Sequence, residues 1–281
     1  KSMEVPVDDM LILEQLDTNL FRSRHHHENF RKTLFGGQVL GQSLMAAFET
    51  QKEDLPNSLH GYFLRPGSSE TPVIYDVENV RDGRSFSCRR VVARQFGRPI
   101  FNMAASFHKV EAGYEHQVPY PEHVPLPEEI LRNRDNSSLA DKIFNRESDR
   151  SPFHFLPADS SLFSSGVIDP PEGYFWIKTK DRLPDTPISH YCALAFASDI
   201  GLLASALLPH KATIFDENLT VASVDHAMWF HQREFRIDEW LLCKTFSPWA
   251  GSARGFAQAH IFSLDKKLVA TTTQEGLIRK I

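Results

Sequence analysis

The chain has 281 residues, of which 41% are hydrophobic and 24% charged, so it is long enough and apolar enough to bury a substantial core. Its formal net charge is -5, with acidic and basic residues dispersed, and this excludes the basic surface that nucleic acid binding requires. The 3 cysteines are odd in number, widely separated and without C-x-x-C spacing, so they indicate neither a disulfide framework nor a zinc site and favour a reducing compartment. We expect no metal and no cofactor. We expect no membrane span, and the start, KSMEVPVDD, lacks the apolar core of a signal peptide.

The first half of the chain combines one predicted helix with four predicted strands. In FGGQVLGQSLMAAF, from Phe35, glycines precede apolar residues at helical spacing, which predicts a packed helix. The paired glycines favour close helix packing, with the approach of a ligand to the backbone amides as the alternative. The strands follow, with turn residues between them, at Leu59 to Arg65, Pro72 to Arg81, Ser85 to Gln95 and Ile100 to Lys109.

Between Glu111 and Pro187 the composition shifts to Pro, Asp, Ser and Glu. We expect an ordered linker that wraps the surface of the units it joins. Pro127 to Arg134 and Ser138 to Arg146 are predicted as brief helices, and Gly173 to Lys180 as a strand.

The stretch HYCALAFASDIGLLASALLPH, His190 to His210, is almost wholly apolar and predicts a helix that is buried on every side. One carboxylate, Asp199, interrupts it, and an ionised group in such surroundings requires hydrogen-bond donors. The alternative is that Ser198 or Asp199 only caps a shorter helix, from Ile200 to Leu208.

A second set of four strands follows this helix, at Ser223 to His231, Trp240 to Phe246, Ala253 to Phe262 and Leu268 to Arg279. The order of elements repeats that of the first half, with His60 aligned to His226 and Gly83 to Gly251. Two such units can join their sheets edge to edge and share one core. The sequence therefore predicts an α+β fold, with an N-terminal repeat at 1–110, the linker at 111–187 and a C-terminal repeat at 188–281.

The segments FGGQVLGQ, SLHGYFLRPG, VDHAMWFH, SPWAGSARGF and TTTQEGLIR together resemble the acyl-CoA thioesterase II family of bacteria and peroxisomes. The resemblance implies a double hotdog fold with one site per chain that hydrolyses a fatty acyl-CoA thioester. It also implies a catalytic trio of Asp, Ser or Thr, and Gln. By motif, these residues are Asp199 after A-x-x-S, Ser223 before Val-Asp-His, and Gln274 in QEG.

Thioester hydrolysis needs a nucleophile, a proton acceptor and donors for the oxyanion. We expect a water oriented by all three groups, with Asp199 as general base, because the trio has no histidine to activate Ser223 as a nucleophile. Backbone amides near a helix start are expected to bind the oxyanion. The simpler alternatives are that Ser223 satisfies a turn amide and that Gln274 belongs to the wet face of a strand.

Three arginines at strand ends, Arg65, Arg84 and Arg254, are candidates for binding the phosphates of the acyl-CoA substrate, although solvation at the surface is the commoner role.

Two other functions stay open: a different hotdog activity such as hydratase, which would need Asp225 and His226 to face one substrate, and a noncatalytic acyl-CoA binder. We expect a homo-oligomer, either dimer or tetramer, with a role in lipid metabolism. The C-terminal residues RKI do not match a peroxisomal signal and favour a cytoplasmic location, with a peroxisomal one as the alternative if the chain is cut short.

Overall fold

A single antiparallel sheet runs through the computed structural model, which describes residues 5–26, 33–134, 151–159, 162 and 166–281. In this part of the chain the sheet has 13 strands. The strands are β1 (Leu13–Asp17), β2 (Leu20–Ser23), β3 (Leu55–Phe63), β4 (Ile74–Asp82), β5 (Phe86–Gln95), β6 (Arg98–His108), β7 (Phe153–Pro157), β8 (Glu172–Thr179), β9 (Leu219–Ser223), β10 (Asp225–Phe230), β11 (Leu241–Gly251), β12 (Arg254–Phe262) and β13 (Leu268–Lys280).

The strand order has the two-fold pattern that the internal repeat predicts. It is β1-β2-β4-β5-β6-β3 in one half and β10-β13-β12-β11-β8-β7 in the other, with β9 paired to β13. The halves meet where β3 and β10 pair antiparallel, with His60 opposite Ala227 and Gly61 opposite His226. In each half the first strand of the meander pairs with the last, β3 with β6 and β10 with β13. The other edge of the first strand is therefore free to pair with the first strand of the other half. The predicted α+β double hotdog class is confirmed, with this difference from a simple meander.

Two central helices, α2 (Gly36–Glu49) and α4 (Pro187–Ala197), pack against each other beside the sheet. The described part of the chain also contains two short helices, α1 (Val7–Leu11) and α3 (Pro127–Asn133). A Cβ atom on Gly37 would lie 2.2 Å from the Phe196 carbonyl oxygen, and one on Gly41 would lie 2.7 Å from that of Cys192. The crossing therefore requires glycine, which agrees with the packing interpretation of these glycines.

The apolar stretch that was predicted as one helix is broken in two. Helix α4 ends at Ala197, and a 3-10 helix runs over Leu202–His210, after Gly201 in the left-handed conformation with φ of 74°. Asp199 lies in the break, and the 3-10 helix has no side-chain cap, so the predicted position of Asp199 within one continuous helix is wrong, and so is the alternative of a cap. The expectation that other parts of the chain supply donors to its carboxylate agrees with the structure. By length and composition the stretch Pro187–His210 meets the criteria for a membrane-crossing helix. However, 83% of its most apolar window is buried in the fold, and buried core helices meet the same criteria, so this stretch does not conflict with the expectation of no membrane span.

The segment 111–187, predicted as a linker, contributes two strands to the sheet. Strand β8 pairs with β11, and β7 pairs with β8 at the outer edge of the second half. Strands β2 and β1 occupy the same places beside β4 in the first half. The predicted helix at Ser138 to Arg146 lies outside the described residues, and the boundaries of the repeats stay a prediction.

Candidate active site

Three polar side chains from distant parts of the chain meet in the second half of the fold. Asp199 lies in the break after α4, Ser223 is the last residue of β9, and Gln274 lies within β13. Gln274 is only 1% exposed, whereas Asp199 and Ser223 are half-buried. The structure thus brings together all three residues that the resemblance singled out.

The three side chains are joined by hydrogen bonds. Gln274 Nε2 donates to Asp199 Oδ1 at 2.6 Å and to Ser223 Oγ at 2.9 Å. Ser223 Oγ also donates to Asp199 Oδ1, at the longer distance of 3.3 Å. Both side-chain donors to the carboxylate in the described part of the chain therefore end on Oδ1, which leaves Oδ2 as an acceptor for a further group.

Ser223 reaches this place because the chain changes partners beside it. The sequence suggested one strand from Ser223 to His231, but the structure has β9 ending at Ser223 and β10 beginning at Asp225. Between them, the Val224 amide donates to the Glu275 carbonyl oxygen at 2.9 Å, and its carbonyl accepts from the Phe63 amide at 3.0 Å. Ser223 therefore closes a strand rather than opening one, and the junction aims its hydroxyl at Gln274.

The start of α2, from the first repeat, completes the surroundings of Asp199. A Cβ atom placed on Gly36 would lie 2.9 Å from Asp199 Oδ2 and 2.9 Å from Cε1 of Phe63. The N-terminus of a 14-residue helix thus lies beside the available carboxylate oxygen, where its unpaired amides and dipole favour negative charge. The sequence flagged the glycine pair, yet it did not indicate that the first helix would lie beside a carboxylate of the second repeat.

Asp225 and His226 are neighbours but face different surroundings. Asp225 Oδ1 accepts a hydrogen bond from the Glu275 amide at 2.7 Å, whereas His226 is fully buried. His226 Nε2 lies 2.8 Å from Ser198 Oγ and 2.9 Å from Thr272 Oγ1. Burial lowers the pKa of His226 below its ordinary value, although Asp199 and Asp225 oppose this shift. The two side chains do not face one substrate, as a hydratase would require.

The three candidate arginines lie apart from the trio. Arg65 donates to the Pro99 carbonyl oxygen at 2.7 Å, and Arg84 is exposed in the turn after β4. Arg254 pairs with Glu275 at 3.2 Å and lies over the ring of Trp249. In the described part of the chain none of them hydrogen-bonds to a member of the trio, so their role in binding acyl-CoA stays a prediction.

Thiol and metal chemistry find little support near this site. Burial raises the pKa of the Cys192 and Cys243 thiols well above the ordinary value, which disfavours a reactive thiolate. Among the described residues no group of three or more His, Cys, Asp or Glu side chains could hold a metal ion.

Comparison with known proteins gives a consistent set of relatives. The model of the acyl-CoA thioesterase family matches residues 164–277, and that of the acyl-CoA thioesterase N-terminal domain matches residues 24–108. Acyl-coenzyme A thioesterase 8 of Mus musculus is 37% identical, over 98% of this chain and 89% of the relative. Acyl-CoA thioesterase 2 of Haemophilus influenzae is 38% identical, over 96% of each chain.

Solved structures agree with this relationship. The crystal structure of an acyl-CoA thioesterase II from Mycobacterium marinum is 39% identical and covers 98% of both chains, with a TM-score of 0.81. A protein with a hot dog fold from Alicyclobacillus acidocaldarius, at 20% identity and a TM-score of 0.76, supports the fold alone. With both family models matched and relatives well above 30% identity over nearly its full length, this chain belongs to the acyl-CoA thioesterase family.

Proposed function

We propose that Asp199, Ser223 and Gln274 hold and activate the water that hydrolyses an acyl-CoA thioester. Hydrolysis of acyl-CoA thioesters is the activity of the family to which the chain belongs. The observation that supports the role of these residues is the closed hydrogen-bonded trio beside the start of α2.

Asp199 serves as the general base in this proposal. Gln274 and Ser223 both donate to Oδ1, which fixes the plane of the carboxylate and leaves Oδ2 to accept a proton from water. The water oxygen then attacks the thioester carbonyl carbon, and the C=O electrons move to the oxygen. When the tetrahedral intermediate collapses, the C–S bond breaks, and the proton held by Asp199 passes to the departing CoA thiolate.

Ser223 orients the water rather than attacking the thioester itself. In the described part of the chain no histidine hydrogen-bonds to Ser223, and the neighbouring His226 directs Nε2 to Ser198 and Thr272. A serine nucleophile requires a base that takes its proton. The Ser223 bond to Asp199 is the longest of the three, at 3.3 Å, so the hydroxyl can turn its hydrogen toward a water.

The amides of Gly36 and Gly37, at the start of α2, are the proposed oxyanion donors. The first N–H groups of a helix have no partner within the helix, and they are oriented before the reaction starts. The contact that a Gly36 Cβ would make with Asp199 Oδ2 places this helix start next to the attacking water. Removal of one such donor typically costs about 10²–10³ in kcat.

Release of free CoA thiol from acyl-CoA substrates of increasing chain length tests the proposal. Asp199→Asn keeps the shape of the side chain but removes the base, so we expect kcat to fall by about 10²–10⁴. Ser223→Ala and Gln274→Ala should each lower kcat with a smaller change in KM. Asn57, a polar side chain of the first repeat, offers a control as Asn57→Ala.

Rapid quenching and mass spectrometry distinguish the two nucleophiles. Direct attack by water forms no covalent intermediate, whereas attack by Ser223 produces an acyl-enzyme that this measurement would detect. Detection of acyl-Ser223, or unchanged activity of Asp199→Asn, would overturn the mechanism. If the wild-type protein released thiol only at background while still binding acyl-CoA, the binding alternative would replace it.

We also propose a homo-oligomer in a reducing, cytoplasmic compartment with a role in lipid metabolism. In the described part of the chain β1 and β7 each have one sheet neighbour, which leaves strand edges for association. All three cysteines are free thiols, as a reducing compartment favours. Light scattering after size-exclusion chromatography measures the assembly directly.

A further inference from the structure

The two central helices end in the same way. The residue after α2 is Thr50 and the residue after α4 is Ser198, and both have right-handed helical backbone angles. Each hydroxyl donates to the carbonyl oxygen three residues back, Thr50 to Ala47 at 2.7 Å and Ser198 to Ala195 at 2.8 Å. The repeats thus preserve a hydroxyl at the end of each central helix.

Each of these hydroxyls also contacts a buried basic side chain. Arg89 Nε donates to Thr50 Oγ1 at 2.8 Å, and His226 Nε2 lies 2.8 Å from Ser198 Oγ. Arg89 is 2% exposed and His226 is 0% exposed, so both contacts are shielded from water. Shielded hydrogen bonds hold their partners more firmly than exposed ones.

The repeats differ in the residue that follows the hydroxyl. In the first repeat Gln51 turns back on its own turn, where its side chain donates to the Asp54 carbonyl oxygen at 2.8 Å and accepts from the Asp54 amide at 3.0 Å. In the second repeat Asp199 points to Ser223 and Gln274. Only the second anchored helix end therefore presents a group for catalysis.

His226 connects this helix end to the strand that bears Gln274. Its Nε2 also lies 2.9 Å from Thr272 Oγ1, two residues before Gln274 on β13. The Thr272 hydroxyl donates to the Ala227 carbonyl oxygen at 2.9 Å, and Ser198 donates to Ala195, so both hydroxyl hydrogens have acceptors. Nε2 then shares its single hydrogen between the two hydroxyl oxygens in a bifurcated hydrogen bond.

The other ring nitrogen is consistent with this assignment. Nδ1 of His226 is buried and has no hydrogen-bond partner in the described part of the chain. A hydrogen on Nδ1 would be a buried donor without an acceptor, and orphaned buried N–H groups are rarer in native structures than under-satisfied carbonyl acceptors. The neutral form with hydrogen on Nε2 therefore fits the site.

We infer that His226 is a positioning residue for hydrolysis: its Nε2–H binds Ser198 and Thr272 together and thereby sets the separation of Asp199 from Gln274. It touches no substrate atom and transfers no proton. The inference rests on the proposed role of Asp199, because the position of this helix end affects the rate only if Asp199 takes part in the reaction. A displacement of about 1 Å in a catalytic group can lower a rate by about 10²-fold.

Two substitutions of His226 test the inference. His226→Leu removes the donor, and we expect kcat to fall by about 10–100-fold with KM changed less than about threefold. His226→Gln places an amide nitrogen where Nε2 was, and we expect it to restore kcat to within about tenfold of wild type. Thermal unfolding of each variant determines the folded fraction, so that kcat refers to folded enzyme.

The repeat supplies a matched control. Ser198→Ala and Thr50→Ala remove equivalent hydroxyls from the two helix ends, and each removes one hydrogen-bond partner of a buried basic group. We expect both to lower the melting temperature, but only Ser198→Ala to lower kcat. Equal kcat values for these two variants, or a folded His226→Leu enzyme with wild-type kcat, would overturn the inference. If Asp199→Asn were fully active, the proposed mechanism itself would fail, which is a distinct result.

Discussion

Replacement of Gly36 by alanine is expected to remove most of the thioesterase activity while leaving the protein folded. The added Cβ atom would lie 2.9 Å from Asp199 Oδ2 and 2.9 Å from Cε1 of Phe63. Favourable contacts between heavy atoms lie at about 3.5–4.0 Å, so the carboxylate or the helix start must move by about half an ångström. The methyl group would also occupy the space in which a water contacts Oδ2.

The size of the effect follows from this displacement. Since a shift of about 1 Å can cost about 10²-fold in rate, a shift of half that size together with a displaced water predicts a fall in kcat of about 10–100-fold. Stability should change little. Phe63 can turn its ring end away, and alanine is favoured over glycine in helices by up to about 1 kcal/mol.

Initial rates of thiol release, measured beside thermal unfolding, check both parts of the prediction. Gly113→Ala is the matched control, because a Cβ atom there would meet nothing within 4 Å. Its kcat and melting temperature should equal those of the wild type. A Gly36→Ala enzyme with kcat within twofold of wild type would show that the available oxygen of Asp199 is not where the water reacts.

Three other changes follow from the same contacts. Gln274→Glu would place a second carboxylate at the 2.6 Å contact with Asp199. Like-charge repulsion should then raise the apparent pKa of the pair of carboxyl groups and lower kcat at neutral pH. A pH–rate profile whose acid limb does not shift upward would contradict this prediction. Gly37→Ala would set a Cβ atom 2.2 Å from the Phe196 carbonyl oxygen, and we expect a loss of about 1–3 kcal/mol in the free energy of unfolding, which chemical denaturation measures against Gly113→Ala. Burial lowers the pKa of His226 in the folded protein below its unfolded value of 6.5, so the unfolded chain binds a proton more readily than the folded protein does. The stability that His226 contributes is therefore complete above pH 6.5 and is lost as the pH falls toward the folded pKa. His226→Gln should therefore reduce the slope of stability against pH by up to about 1.4 kcal/mol per pH unit in that window, and an unchanged slope would refute this account.

Much of the architecture could be predicted because its signals are local. The period of the apolar residues and the turn residues placed the first central helix, the start of the second and most of the strands within a few positions of their observed bounds, but the second helix ends earlier than predicted. The order of elements, repeated in the second half, indicated two joined units, and the sheet has that form. The short strand β9 was not predicted, because the sequence indicated a strand only from Ser223 to His231, and no turn residue marks the break between β9 and β10.

The conformation around Asp199 could not be predicted from local sequence patterns. An apolar run with one carboxylate predicts either a buried helix or a cap, but the structure breaks the run at Gly201, whose left-handed backbone a glycine adopts at little cost. The break turns Asp199 toward two strands that lie 24 and 75 residues further along the chain. Hydrogen bonds over such separations depend on sheet register, which no window of sequence specifies.

The amino-acid sequence by itself determined the repeat, the buried helices and the residue types that the family resemblance singled out. These features depend on the spacing and the types of residues, which can be read directly from the sequence. Only the tertiary structure decided that the start of α2 lies beside Asp199, that Ser223 ends a strand, and that His226 contacts Ser198 and Thr272. The physical reason is that these contacts form between elements paired across the sheet and between the repeats, where geometry is set by packing of the whole fold.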